Sequence, residues 1–181
     1  MSLWKLNEII AATNGVASSM CADEIAGISI DTRDIAPGEL FVAIKGDQFD
    51  GHDFVVSAVE NGAAAALVSK SWAQQASSEL PLIVVDDPLK GLERLAVAAR
   101  VRTKAKIIAI TGSVGKTSTK EAVRIGLERM GRTHASIKSF NNHWGVPLML
   151  ARMPADTEFG VFEVGMNHAD EIRPLVKMIK P

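Results

Sequence analysis

"ITGSVGKTSTKE", residues 110–121, is the stretch on which the fold turns. It closes an apolar run, turns on two glycines, presents Lys116 and opens onto a helical pattern. Against the strict phosphate-loop pattern G-x-x-x-x-G-K-[ST], Ile110 stands where the first glycine would be, so the match is to the shorter "TGSVGKTS". The physics of holding an anion survives that departure. Gly112 and Gly115 permit backbone angles and close approach that a side chain would block. Successive N–H groups over Thr111, Gly112, Ser113, Val114, Gly115, Lys116, Thr117 and Ser118 can then form an anion nest, reinforced by the start of the following helix. Lys116 is expected to reach the β- and γ-phosphates of a nucleotide, with the Thr117 hydroxyl a ligand for Mg2+. The bland alternative is a glycine-rich turn with a solvated lysine; the strand before it and the amphipathic helix after it favour phosphate.

Outward from that loop, short apolar runs alternate with helical patterns, the mark of parallel α/β architecture. Strands are predicted at 27–30, 39–44, 65–69, 81–85, 106–111 and 159–164, with a weaker one at 132–136. Phe54, Val55, Ala58 and Val59 form a helical stripe that stops at Gly62. A second runs through Leu89, Leu92, Leu95, Ala96 and Ala99, with Asp87 as N-cap and Pro88 at the first helical position. A third, Ala122, Val123, Leu127 and Met130, follows the glycine loop. "VVDDP" at 84–88 reads as the seam, giving a small α/β domain over 1–86 and a second, opened by the glycine loop, over 87–181. The second is short for an open nucleotide-binding sheet of about five or six strands, and so reads as truncated.

Composition sets the outer limits. Of 181 residues, 47% are hydrophobic and 23% charged, which suits a globular chain with a proper core. Twenty basic residues against 21 acidic ones leave a net charge of −1, without attraction to nucleic acid or membrane surfaces. No apolar run approaches the roughly 20 residues of a membrane span. The N-terminal stretch, with Glu8 amid its apolar residues, lacks the pattern of a signal peptide. One cysteine, Cys21, excludes an internal disulfide and a Cys-rich zinc site, and the expected compartment is the cytosol.

Two further stretches carry chemistry. In "TEFGVFEVGMNHADEI", Glu163 lies near the C-terminal end of an apolar strand, where open α/β sheets bind ligands. A strand covered on both faces rarely tolerates a carboxylate, and a natural task for this one is to hold Mg2+ with Thr117. The alternative is an acid emerging into solvent as the strand ends. Asn167 and His168 follow it and either approach substrate or serve as a cap and a surface histidine. In "KSFNNHWGVPLMLA", residues 138–151, Asn141 and Asn142 either bind substrate or orient the metal shell through side-chain oxygens, or else make a turn that caps the helix around "PLML".

"TGSVGKTSTKE", "SFNNHWGVP" and "FEVGMNHADEI", in that order, resemble the Mur ligases of bacterial cell-wall synthesis. "STKE", the Asn-Asn turn and "GMNH" point to the dipeptide-adding member, and residues 29–69 look like the family's UDP-binding domain. The likeness covers essentially the whole chain. It implies an ATP- and Mg2+-dependent ligase joining D-alanyl-D-alanine to UDP-N-acetylmuramoyl-tripeptide through an acyl phosphate. It also implies Lys116 as the phosphate-binding and catalytic lysine, Thr117 and catalytic Glu163 as magnesium ligands, and the UDP-sugar around Thr32, Arg33, Asp47, Gln48, Phe49 and Asp50. Read alone, "DTR" is a polar turn and "GDQFDGHD" an ordinary loop, yet Arg33 can pair with a diphosphate and Phe49 can lie on uracil.

The chain departs from the family where Asp170-Glu171-Ile172 replaces Gly-Glu-Ile, which removes a glycine turn and is expected to shift the helix start. Ser139 stands where a related asparagine is often found. The family's later histidine, carbamylated lysine and adenine-binding asparagine have no counterpart within the chain, so residues 1–181 alone are expected to turn over nothing. A sister ligase adding a single amino acid, of the kind that includes folylpolyglutamate synthase, and a non-catalytic nucleotide-binding module remain the alternatives. No stretch marks a protein partner, and a monomer is expected.

Overall fold

A computed structural model describes residues 2–138, 140–166 and 170–181. Two compact units divide the chain, Met1–Leu95 and Ala96–Pro181.

In the first unit, Trp4–Lys5 (β1) runs straight into Leu6–Thr13 (α1). Glu8 Oε2 accepts from the Lys5 N–H at 2.9 Å to close the first turn, and left-handed Asn14 (φ 55°) ends the helix. Val16–Ala17 (β2), Glu24–Ile25 (β3), Gly27–Ser29 (β4) and Glu39–Val42 (β5) follow. A 3-10 turn, Gly51–Phe54, then leads into Val55–Glu60 (α2). Ala65–Ser69 (β6), Lys70–Ala73 (α3), Leu82–Val85 (β7) and Pro88–Arg102 (α4) complete the set, α4 continuing into the second unit. The sheet order is β2-β7-β6-β5-β4, parallel except for β2, while β1 pairs antiparallel with β3.

The sheet's alternation sorts its core. Phe41, Ala43, Ala66 and Val68 pack with Val55 and Ala58 of α2. Leu40, Val42, Leu67 and Ile83, out of phase with that set, are fully buried too, as a parallel sheet covered on both faces requires. A methyl group placed on Gly91 of α4 would lie 3.0 Å from Leu67, so α4 seats its glycine against that face.

The second unit carries Lys106–Ile110 (β8), Lys116–Glu128 (α5), Thr133–Ala135 (β9), Gly145–Ala151 (α6), Phe159–Glu163 (β10) and Ile172–Ile179 (α7). Its three strands are parallel in the order β8-β10-β9. Val161, Phe162, Leu148, Leu150, Leu175 and Ile179 are buried here, and Arg100 of α4 donates through Nε to the Ile179 carbonyl at 2.8 Å.

All seven predicted strands are present, with ends shifted by no more than two residues, and the mixed α/β class holds. Asp87 caps α4 as expected, its Oδ1 accepting from the N–H groups of Leu89 (2.8 Å) and Lys90 (3.1 Å). The stripes are less regular. Phe54 ends the 3-10 turn and points outward, because three residues per turn put it out of step with α2. Along α5, Val123 and Leu127 are half-buried but Ala122 is exposed, as is Met130 just past the helix end. Asp170 takes φ 67°, a left-handed turn made without glycine, and α7 begins at Ile172. Among the described residues no helix is long and apolar enough to cross a membrane.

Candidate functional site

The glycine loop joins β8 to α5. Gly115 is the N-cap of α5 in the left-handed region (φ 77°), a conformation costly for any residue with a Cβ. No side chain caps that helix and no acid lies in its first turn. Its leading N–H groups are therefore directed at whatever occupies the loop, which is the arrangement that binds anions. Ser113 and Gly115 are exposed, and Val114 is 87% exposed at the tip. Thr111 and Ser118 are also exposed, at either end of the turn. Lys116 folds back over the loop, its Nζ donating to the Gly112 carbonyl at 2.8 Å.

Strand register brings the acid to this loop. Glu163, last residue of β10, pairs with Ile110, last residue of β8, so the carboxylate stands beside the point where the loop begins. It is only 2% exposed. Its Oε2 accepts from Thr117 Oγ1 at 3.0 Å and its Oε1 from Asn141 Nδ2 at 2.8 Å, while its backbone N–H donates to Ser136 Oγ at 3.3 Å. Asn141 is itself held, its carbonyl accepting from Gly165 N–H at 2.8 Å, and a methyl group on Gly165 would sit 2.8 Å from Asn141 Oδ1. Glycine is needed there for close approach.

The donor set fits Mg2+. Ligands about 2.05 Å from that ion in octahedral geometry lie about 2.9 Å apart when adjacent, and the Thr117 and Glu163 oxygens are 3.0 Å apart. No cluster of three His, Cys, Asp or Glu side chains able to hold a metal occurs among the described residues. Two protein oxygens with the rest from phosphate and water is the usual provision for magnesium.

Sequence reasoning missed Lys120. It lies one turn beyond Lys116, is 1% exposed, and places Nζ 3.1 Å from Glu121 Oε1 and 4.0 Å from Glu163 Oε2. Hydrogen bonds from Arg124 and then Lys120 hold the Glu121 carboxyl below its ordinary range. The available signal was spacing: i and i+4 share a helix face, and a buried acid beside that face calls for a cation.

Asn142 Oδ1 accepts from the N–H groups of Trp144 (3.2 Å) and Gly145 (2.9 Å), a turn at the start of α6. Asn167 and His168, with Ser139, lie outside the described residues. In the first unit, Arg33 is exposed and forks onto Asp31, Nε to Oδ1 at 2.9 Å and Nη2 to Oδ2 at 2.6 Å, which raises the guanidinium pKa. Thr32 is half-buried beside it, and Asp47, Gln48 and Phe49 are exposed on a loop closed by Gly46 N–H donating to the Phe49 carbonyl at 2.9 Å. Asp50 bonds His52 through that residue's backbone N–H (3.0 Å) and Nδ1 (2.6 Å). Burial opposes ionisation of Asp50, but the His52 contacts and Lys45 together bring it below its ordinary value. Beside it opens a cleft of about 500 Å3 whose lining includes Trp72, Gln75 and Asp86.

Comparison with known proteins identifies the family. The family model described as Mur ligase middle domain matches residues 110–181, and that described as Mur ligase family, catalytic domain, matches 24–129. Among similar curated proteins is the UDP-N-acetylmuramoyl-tripeptide–D-alanyl-D-alanine ligase of Rickettsia prowazekii, 43% identical over 154 residues, which are 85% of this chain and 34% of the relative. The protein of the same name from Bacillus subtilis is 40% identical over 157 residues, 87% of this chain and 34% of its own length. The chain thus spans about a third of the length of these relatives. A solved structure of MurF from Acinetobacter baumannii matches with a TM-score of 0.85 at 34% identity, covering 98% of this chain and 39% of that one. MurF ligase from Thermotoga maritima, solved with ADP, matches at 0.68 and 27% identity, covering 84% and 35%. The catalytic-domain match takes in more than half of the residues and the glycine loop with them, and the chain belongs to the Mur ligase family.

Proposed function

We propose that this chain carries the phosphate-binding machinery of an ATP-dependent ligase that joins D-alanyl-D-alanine to UDP-N-acetylmuramoyl-tripeptide. The observation that carries the reading is the convergence of Lys116, Thr117, Asn141 and Glu163 at one end of the β8–β10 pair. Residues 1–86 serve as the UDP-substrate domain and 87–181 open the ATP-binding domain. The protein works as a cytoplasmic monomer. The names of the relatives and the ADP of the Thermotoga maritima structure support the assignment.

A carboxylate is a poor electrophile, so the substrate's terminal carboxylate first takes the γ-phosphoryl group to become an acyl phosphate. Lys116 exchanges the Gly112 carbonyl for phosphate oxygens, and the first-turn N–H groups of α5 point at the same charge. Thr117 and Glu163 would hold Mg2+, which when bound would offset the repulsion between carboxylate and triphosphate. Asn141 keeps Glu163 aimed at that position. The dipeptide amine then attacks the acyl carbon and phosphate leaves. In the first unit, Thr32 and Arg33 face the diphosphate, Phe49 offers uracil an aromatic platform, and Asp47, Gln48 and Asp50 take the remaining polar groups of the UDP-sugar. Asn142, Asn167 and His168 complete the substrate's surroundings.

The test is phosphate release by the full-length protein, with ATP, Mg2+ and UDP-N-acetylmuramoyl-tripeptide. Release that requires D-alanyl-D-alanine and falls at least about a hundredfold in Lys116→Ala is expected. Release with a single amino acid instead would assign a sister ligase. ATP binding without release for any amine would leave a nucleotide-binding module.

A further inference from the structure

The phosphate-and-cation reading uses Lys116 and leaves Lys120 without a task, although burying a lysine demands a reason. We infer that Lys120 is a fixed counter-charge to Glu163, which prevents the Thr117–Glu163 pair from retaining a divalent cation until nucleotide phosphates add negative charge; this rests on the reading above. Its Nζ is 4.0 Å from Glu163 Oε2, too far for a hydrogen bond, so it supplies charge without occupying a lone pair. Each carboxylate oxygen has about two acceptor directions. Thr117 uses one on Oε2 and Asn141 one on Oε1, which leaves room for a cation.

The lysine is tethered in this position. Glu121 Oε1 holds Nζ at 3.1 Å, while Glu121 Oε2 accepts from Arg124 Nε at 2.8 Å, and Arg124 is paired in turn with Glu128. Lys120 therefore cannot swing away as an exposed lysine would. Repulsion between its ammonium and a cation on Glu163 acts in a buried setting, where screening is weak. Lys120 is a positioning residue in charge rather than in contact: it makes cation uptake conditional on phosphate.

Calorimetric titration tests this, with Mn2+ as the oxygen-binding stand-in. Without nucleotide, the wild type is expected to show no uptake below about 1 mM, Lys120→Met to bind at least about tenfold more tightly, and Lys120→Arg to behave as wild type. Adding Glu163→Gln to Lys120→Met should abolish the gain, which a merely structural lysine would not produce. Tight Mn2+ binding by the wild type alone, or no gain in a folded Lys120→Met, overturns the inference. Should Lys120→Met fail to fold, Glu121→Gln on the surface takes its place. Removing that acid lets Lys120 close on Glu163 and is expected to weaken Mn2+·ADP uptake about threefold or more; unchanged uptake overturns the inference. Uptake of Mn2+·ADP by the wild type without the Lys120 effects would defeat this inference alone. No uptake with ADP would defeat the underlying site reading.

Discussion

Backbone sign at two residues gives opposite expectations. Gly115→Ala forces a Cβ into φ 77° and is expected to destabilise the second unit by about 1 kcal/mol, seen as a lower urea midpoint. Asp170→Gly relaxes φ 67° and is expected to stabilise by about 0.5 kcal/mol, since its exposed pairing with Arg173 contributes little. A fall in stability for Asp170→Gly would show that the Arg173 contact matters more than the backbone. At this scale much of the site was legible. Lys116 and Gly115 declare themselves by pattern, and Glu163 by being an acid at the end of an apolar strand. Asn141 stayed ambiguous because its partner is 22 residues away, reached only through the loop that β9 and β10 position. Lys120 stayed hidden because a lysine on a helix ordinarily reads as solvated.

At the scale of elements, caps and short contacts carry the expectations. Asp87→Ala removes two N–H acceptors from the start of α4 and is expected to cost about 1 kcal/mol, with Asp87→Ser recovering most of it. His134 joins β9 to α6, its Nε2–H donating to the Met149 carbonyl at 2.8 Å. Burial, and secondarily Arg152, lowers the His134 pKa against the opposing pull of that hydrogen bond. The unfolded chain thus binds the proton more readily. Stability is full above the ordinary histidine value of about 6.5 and is lost as pH falls below it towards the lower folded value. Urea midpoints should therefore drop between about pH 7.5 and 5.5, and His134→Gln should flatten the trend. An unchanged trend would assign it to other groups. Long elements were readable because period 2 and period 3.6 differ over five or more residues. The two-residue strands β1, β2 and β3 are too short to show a period, and β2 exists through its pairing with β7, some 66 residues on.

For the molecule as a whole, the chain spans about a third of the length of the curated relatives it matches. The 181 residues by themselves are expected to release no phosphate with ATP, Mg2+, UDP-N-acetylmuramoyl-tripeptide and D-alanyl-D-alanine. Turnover by this chain would show that the chemistry needs no further residues. The β8–β10 ladder, Phe159↔Lys106 through Glu163↔Ile110, also bears on which changes of length the gene can tolerate. Side chains alternate along a strand, so one residue inserted into or deleted from β10 ahead of Glu163 would turn Glu163 to the opposite face, away from Thr117 and Asn141. The same insertion between Pro154 and Thr157, ahead of the ladder, would be absorbed by the turn. Two neighbouring stretches thus differ sharply in the indels they admit, and a single-codon insertion scan should show an abrupt boundary at Phe159.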